Sequence, residues 1–207
     1  MILKDNVQIR GVFSIKAYKK DGSIEEYIEN PNLIMDTART NMAELVGGYS
    51  SGVPIDKFTL GNKGHNGTDI LDYKKVGAND EFISTRTMLF SEDSNYDNTN
   101  DKDSFVYEIS FDAKSDNISK VDDNASGSIK GSSDVQTCEV QRIITDRTCT
   151  YTITVPEPAG NNVGEGAVVA YTEAALYAGT KIFSMKTFPA RVKEDSVKLV
   201  IKWAIIF

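Results

Sequence analysis

A chain of 207 residues, 40% of them hydrophobic, is long enough to bury one sizeable core without metal or disulfide staples. Its formal net charge of -7 and pI of about 4.8 argue against nonspecific binding to nucleic acid or to an anionic membrane, since both need clustered Lys and Arg to displace counterions. No stretch reaches the roughly 18 to 20 apolar residues of a membrane helix, and "MILKDNVQIRG" carries charges where a signal peptide needs its apolar segment, so synthesis in a cytoplasm is expected.

Residues 7–28, "VQIRGVFSIKAYKKDGSIEEYI", alternate apolar and polar positions around Asp21-Gly22, which predicts two strands joined by a type I′ hairpin turn. Pro31 interrupts the alternation. "NPNLIMDTARTNMAELVGG" then places Ala38, Met42, Leu45 and Val46 at helical spacing, with Asp36 as N-cap and Gly47 as the C′ residue of one short amphipathic helix. A short strand ending at Leu60 leads into the Gly- and Asn-rich loop "GNKGHNGTD", and residues 82–90 have the composition of a further strand. The stretch 91–103 offers only Tyr96 to a core and reads as loop. Residues 105–113 alternate again, whereas 114–134, "KSDNISKVDDNASGSIKGSSD", has the low hydropathy of an exposed insertion.

Residues 135–155 predict two strands rich in Thr, Val and Ile with a turn near Asp146, followed by an irregular connection set by Pro156, Pro158 and the glycines at 160, 164 and 166. "AVVAYTEAALYAG", "KIFSMKTFPARV" and "SVKLVIKWAIIF" predict three strands in a meander. The whole, 1–207, is expected to be a single mainly β domain: an antiparallel β-sandwich or flattened barrel with one short α-helix and long polar loops at 91–103 and 114–134. In the final stretch Val197, Leu199, Ile201, Trp203, Ile205 and Phe207 share one face, and near its end Ala204 and Ile206 make the other face apolar too. That second face needs a cover, from the helix at 36–46 or from a neighbouring subunit.

Residues with chemistry to offer are sparse. His65 is the only histidine and has no second His or Cys beside it, so neither a zinc site nor a Ser-His-Asp triad is expected. "LGNKGHNG" lacks the Gly-Lys-Ser/Thr ending of a phosphate loop and reads as a tight loop between strands. Asp122, Asn124 and Ser126 are spaced like the start of a calcium loop, but its twelfth position is Ser133 instead of Glu. Cys138 and Cys149 match no metal or redox spacing. A direct bridge would centre a turn on Ile143 and Ile144, so two free thiols are expected. Asn-x-Ser/Thr triplets begin at Asn66, Asn117 and Asn124 and, without a secretory signal, carry no expectation of glycans. No catalytic, cofactor-binding or metal-binding residue is assigned.

Three segments together, "NLIMDTARTNMAELVGG", "FTLGNKG" and "YTEAALYAGTKIFSMKTFPARVKEDSVKLVIKWAIIF", resemble a loose group of structural proteins of tailed bacteriophages. In these an Asn-Leu stretch enters a short helix, a strand ends in a Gly-rich turn, and an "E-A-x-L" strand precedes a "TF-P" strand and a Trp-containing apolar strand. The similarity spans about the first third and the last fifth of the sequence. It implies a non-enzymatic virion component at the neck, collar, tail or baseplate, assembling with itself as a ring or sheath and with other virion proteins, and not with nucleic acid or membrane. The alternative expectation is a carbohydrate- or receptor-binding β-sandwich of a virion that uses the loops around His65 and Tyr96, with Tyr73 as a second aromatic. A glycan hydrolase has the least support, because no two carboxylates are paired for acid-base work.

Overall fold

The computed structural model describes residues 9–77, 82–96, 104–112, 120–161 and 168–207, with the backbone alone at 29–30 and 120–124. Alternation with period two governs most of it. In β1 (Arg10–Tyr18) Phe13, Ile15 and Ala17 are buried and the residues between them are not, and the same rhythm marks β9 (Thr148–Val155) and β12 (Lys198–Ile206). Strands of this kind need one apolar interior. They find it by closing with β2 (Ile24–Ile34), β3 (Lys57–Gly61), β6 (Val106–Ser110), β7 (Lys120–Ile129), β8 (Gln136–Thr145), β10 (Val169–Ala178) and β11 (Lys181–Lys193). The result is a closed ten-stranded antiparallel barrel in the order β1-β12-β9-β8-β7-β6-β3-β10-β11-β2. A mainly β fold with one short helix is therefore what the chain adopts, as a barrel and not as two sheets.

Aromatic rings fill the interior. Trp203 is fully buried, with Phe13 edge-on at 5.0 Å and Phe58 at 6.2 Å, and Phe13 stacks on Phe188 at 5.2 Å. A smaller core lies outside the barrel wall, where Phe82, Leu89 and Phe90 pack on Ala175, Tyr177, Ile182 and Met185 of β10 and β11. These two strands are therefore buried on both faces, which explains their nearly continuous apolar runs. The hairpin of β4 (His65–Asn66) and β5 (Asp69–Tyr73) packs across β11 on the same side.

Several expectations change. The first hairpin has a three-residue loop, Lys20 to Gly22, with Gly22 at φ 83 and the Gly22 N–H donating to the Lys19 carbonyl at 3.0 Å, in place of a type I′ turn on Asp21-Gly22. Asp36 opens helix α1 (Asp36–Val46) as its first residue instead of capping it. Met35 is the N-cap, and the Asp36 carboxylate accepts from Arg39 at 2.9 Å. At the other end Gly47 is right-handed and Gly48 takes the left-handed C′ position at φ 72. Gly48 N–H then reaches Leu45 O and Tyr49 N–H reaches Glu44 O, a Schellman arrangement. The helix buries Ala38 and Asn41, while Leu45 and Val46 are exposed. Asn41 explains this: its amide exchanges two hydrogen bonds with the Val53 backbone, at 2.8 and 3.0 Å, and turns that face inward.

Residues 82–90 form no strand. Their apolar residues are spaced for an irregular cover that ends in one 3-10 turn, Phe90–Glu92. The two expected loops shrink accordingly. Within 91–103, Ser91 is buried and Tyr96 packs edge-on to Phe90 at 4.9 Å, while 97–103 lies outside the described residues. Within 114–134, residues 114–119 are likewise outside them, but β7 occupies Lys120–Ile129 and pairs with β6 and β8 on its two sides. Its glycine at 127 has a packing cause. A Cβ on Gly127 would stand 2.0 Å from the Tyr107 hydroxyl and 2.9 Å from Cys138 Sγ, so small residues are required where large neighbours fill the barrel. The expected meander also breaks: β10 and β11 form a hairpin, but β12 pairs with β1 and β9 instead of β11.

Candidate assembly surface

The residues singled out from the sequence fall in separate places. His65 stands opposite Tyr73 in the β4–β5 hairpin, where burial and then the charge of Lys63 hold its imidazole below the ordinary range. The amides of the "GNKG" loop converge on hydroxyls and not on open space. Asn62 and Lys63 N–H donate to Ser91 Oγ at 2.8 and 3.0 Å, and Gly64 N–H donates to Thr172 Oγ1 at 2.9 Å. Gly61 and Gly64 are needed there because a Cβ would meet Glu173 Oε1 at 2.6 Å and the Thr172 carbonyl at 2.5 Å respectively. A tight loop between strands is what this segment forms.

The calcium spacing fails on the backbone, which is paired strand from Lys120 to Ile129 and not a coil. Asn117 lies outside the described residues. The Cys138 and Cys149 thiols are free, and Cys149 stands opposite Ile144 near the turn at Asp146, which takes φ 52. Tyr96, one of the aromatics expected near a sugar site, packs edge-on to Phe90. Its ring is built into the smaller core, with Arg86 at 5.0 Å and Lys74 at 5.1 Å.

Sequence reading gave no role to Glu173, although it lies in "YTEAALYAG". Its carboxylate is fully buried and accepts from Phe90 N–H at 2.8 Å, Ser91 N–H at 2.7 Å and the Ser91 hydroxyl. Burial raises its pKa above the ordinary carboxylate range, against donors that favour the charged form. Its place in an apolar strand was the available signal, because a lone acid in such a run must be bonded. The clamp fastens the 3-10 turn to β10 and so holds the cover over one side of the barrel.

Among the described residues the opposite side has no such cover. Across β1, β12, β9 and β8 the outward residues align in rows: Arg10–Ile206–Thr148–Thr145, Val12–Ala204–Thr150–Ile143, Ser14–Lys202–Thr152–Gln141 and Lys16–Val200–Thr154–Glu139. Every outward position of β9 is threonine. No described helix or strand is packed across this wall, and Val12, Val200, Ala204, Ile206 and Ile143 are only half-buried by their own neighbours. The helix therefore does not cover Ala204 and Ile206. It caps the adjoining end of the barrel instead, above an apolar groove of about 670 Å³ lined by Ile9, Met42, Leu45, Phe183, Ile205 and Phe207. Val46, 91% exposed, and Phe207, 41% exposed, extend this apolar surface to the rim. Lys202 stands inside the wall between Ser14 and Thr152, and Glu139 lies on its β8 margin.

No family model, no curated protein and no solved structure matches the chain.

Proposed function

We propose that the protein is a non-enzymatic structural subunit of a tailed-bacteriophage virion that assembles with copies of itself, as a ring or sheath at the neck, tail or baseplate. The observation that carries the assembly reading is the uncovered wall of β1, β12, β9 and β8, with its rows of half-exposed β-branched side chains beside the apolar barrel end. β-branched side chains on a pleated surface pack well against a second surface of the same kind. The virion setting rests on the resemblance of residues 32–48, 58–64 and 171–207 to phage structural proteins.

The test is the mass in solution by light scattering, with particle images of any assembly formed. Wild type is expected to form a fixed multiple of the subunit. Ala204→Arg, which places a charge at the centre of the wall, is expected to leave a folded monomer. Wild type that remains monomeric at every concentration, or an Ala204→Arg variant that assembles as well as wild type, would overturn the reading.

A further inference from the structure

Lys193, the last residue of β11, is fully buried, and Asn161, in the connection that follows β9, is 5% exposed. The Lys193 Nζ lies 2.8 Å from Asn161 Oδ1, and the amide carbon is one C=O bond further, so amine and carbon stand at most about 4 Å apart. The Asn161 Nδ2 donates to Asp195 Oδ1 and to the Glu157 carbonyl, the latter at 3.1 Å. A buried amine, an amide carbon and a carboxylate on the amide nitrogen therefore meet at one point of the fold.

Both partners are held in place. Lys193 Nζ also donates to the carbonyls of Glu157 at 2.6 Å and Glu194 at 3.0 Å. Next to Asn161, Gly160 is fixed on two sides: its N–H donates to Gln136 Oε1 at 2.9 Å, and its carbonyl accepts from the Tyr171 hydroxyl at 2.6 Å. Positioning of this kind turns a slow encounter between an amine and an amide into a unimolecular step. Lysine attacks only as the free amine. Burial pulls the pKa of Lys193 from 10.5 down to about 8, against Asp195, Glu157, Cys138 and Glu194, which all favour the ammonium. The free amine is thus available a little above neutral pH, where an exposed lysine is almost wholly protonated.

We infer that Lys193 and Asn161 join in an intramolecular isopeptide bond, with Asp195 moving the proton. Lys193 Nζ attacks Asn161 Cγ and a C–N bond forms. The proton shed by Nζ passes through the Asp195 carboxylate to Nδ2, the Cγ–Nδ2 bond breaks, and ammonia leaves. An amine and a primary amide become a secondary amide and ammonia, so no oxidant, reductant or cofactor is needed. The bond closes residues 161–193 into a covalent ring, which restricts the unfolded chain as a disulfide would. Well below the pKa of Lys193 the group is ammonium and cannot attack, so the chain stays open, and it is this open chain whose Lys193 titrates. The inference goes beyond assembly and does not depend on it.

The test is mass spectrometry of the full chain, intact and after trypsin, on protein isolated at about pH 6 and then held at about pH 9, on either side of the Lys193 pKa. Wild type is expected to lose about 17 Da, one ammonia, and to give a branched peptide in which residue 161 is joined to residue 193, with no cleavage after Lys193. Asp195→Asn changes an exposed residue, so its open chain should melt as wild type does, while the bond should form at least about tenfold more slowly. The branched peptide is read on wild type and needs no variant to fold. An unchanged mass at the higher pH, a loss of ammonia with no branched peptide, or an Asp195→Asn variant that reacts as fast as wild type would overturn the inference.

Discussion

Glu173→Gln keeps the size of the side chain but puts an amide where three donors meet a carboxylate. At least one of those donors loses its acceptor, so unfolding free energy should fall by about 1–3 kcal/mol. Urea unfolding followed by the emission of Trp203, the single and fully buried tryptophan, measures it. Lys193 is the converse, a buried cation. Its Nζ donates to Glu157 O at 2.6 Å, Asn161 Oδ1 at 2.8 Å and Glu194 O at 3.0 Å, and burial pulls its pKa down from 10.5 to about 8. The unfolded chain thus holds this proton up to about pH 10.5 while the folded chain releases it near 8. Between those values the unfolded state binds more protons, so stability from this group rises with pH, and below 8 its penalty is full and constant. Wild type compared with Lys193→Met should show that rise between pH 8 and 10. A flat difference would mean that the three acceptors hold the proton in the folded state as well.

Among the elements, β7 is the sharpest test of packing. Gly127→Val would drive methyl groups into the Tyr107 hydroxyl and Cys138 Sγ, and the overpacking should cost about 1–3 kcal/mol, read as a lowered melting temperature. The same strand shows where sequence reading stops. β1, β8, β9 and β12 were legible because an alternating strand with one face inward announces itself in a single segment. β7 was not, since its small inward residues answer to Tyr107, a residue on another strand. The helix was legible from Ala38 to Val46, but its inward face was not, because Asn41 faces in to bond Val53. The uncovered wall was half legible: Ala204 and Ile206 already looked apolar on the second face, but only the register of β12 between β1 and β9 aligns them with Val12 and the threonines. The short closure of the barrel, where β2 pairs with β11 only at Leu33–Met185 and Ile34–Ser184, left no mark in the sequence.

For the whole molecule, β12 is a core element as well as part of the wall. Deleting residues 203–207 would remove Trp203 and Ile205, each worth about 1.5–3 kcal/mol when fully buried, and would open the pairing with both β1 and β9. Against a typical domain stability of about 5–15 kcal/mol the truncated chain should be insoluble. Ile206→Lys, by contrast, alters only a half-buried outward position, so the subunit should fold with a near-wild-type melting temperature while losing assembly. A large drop in its melting temperature would show that Ile206 serves the fold itself.

The pairing of β1 with β12, Arg10 opposite Ile206 and Tyr18 opposite Lys198, joins the first and last strands of the barrel in one contact. Such a contact forms late, because its loop-closure entropy must be met before any of its hydrogen bonds are gained. During synthesis β1 leaves the ribosome before β12 and waits with one edge unpaired until the strands between them have been made. The proposed wall for assembly is completed by that same last pairing. On the assembly proposal, a chain cut short before β12 would lack that wall and so could not join a ring of complete copies.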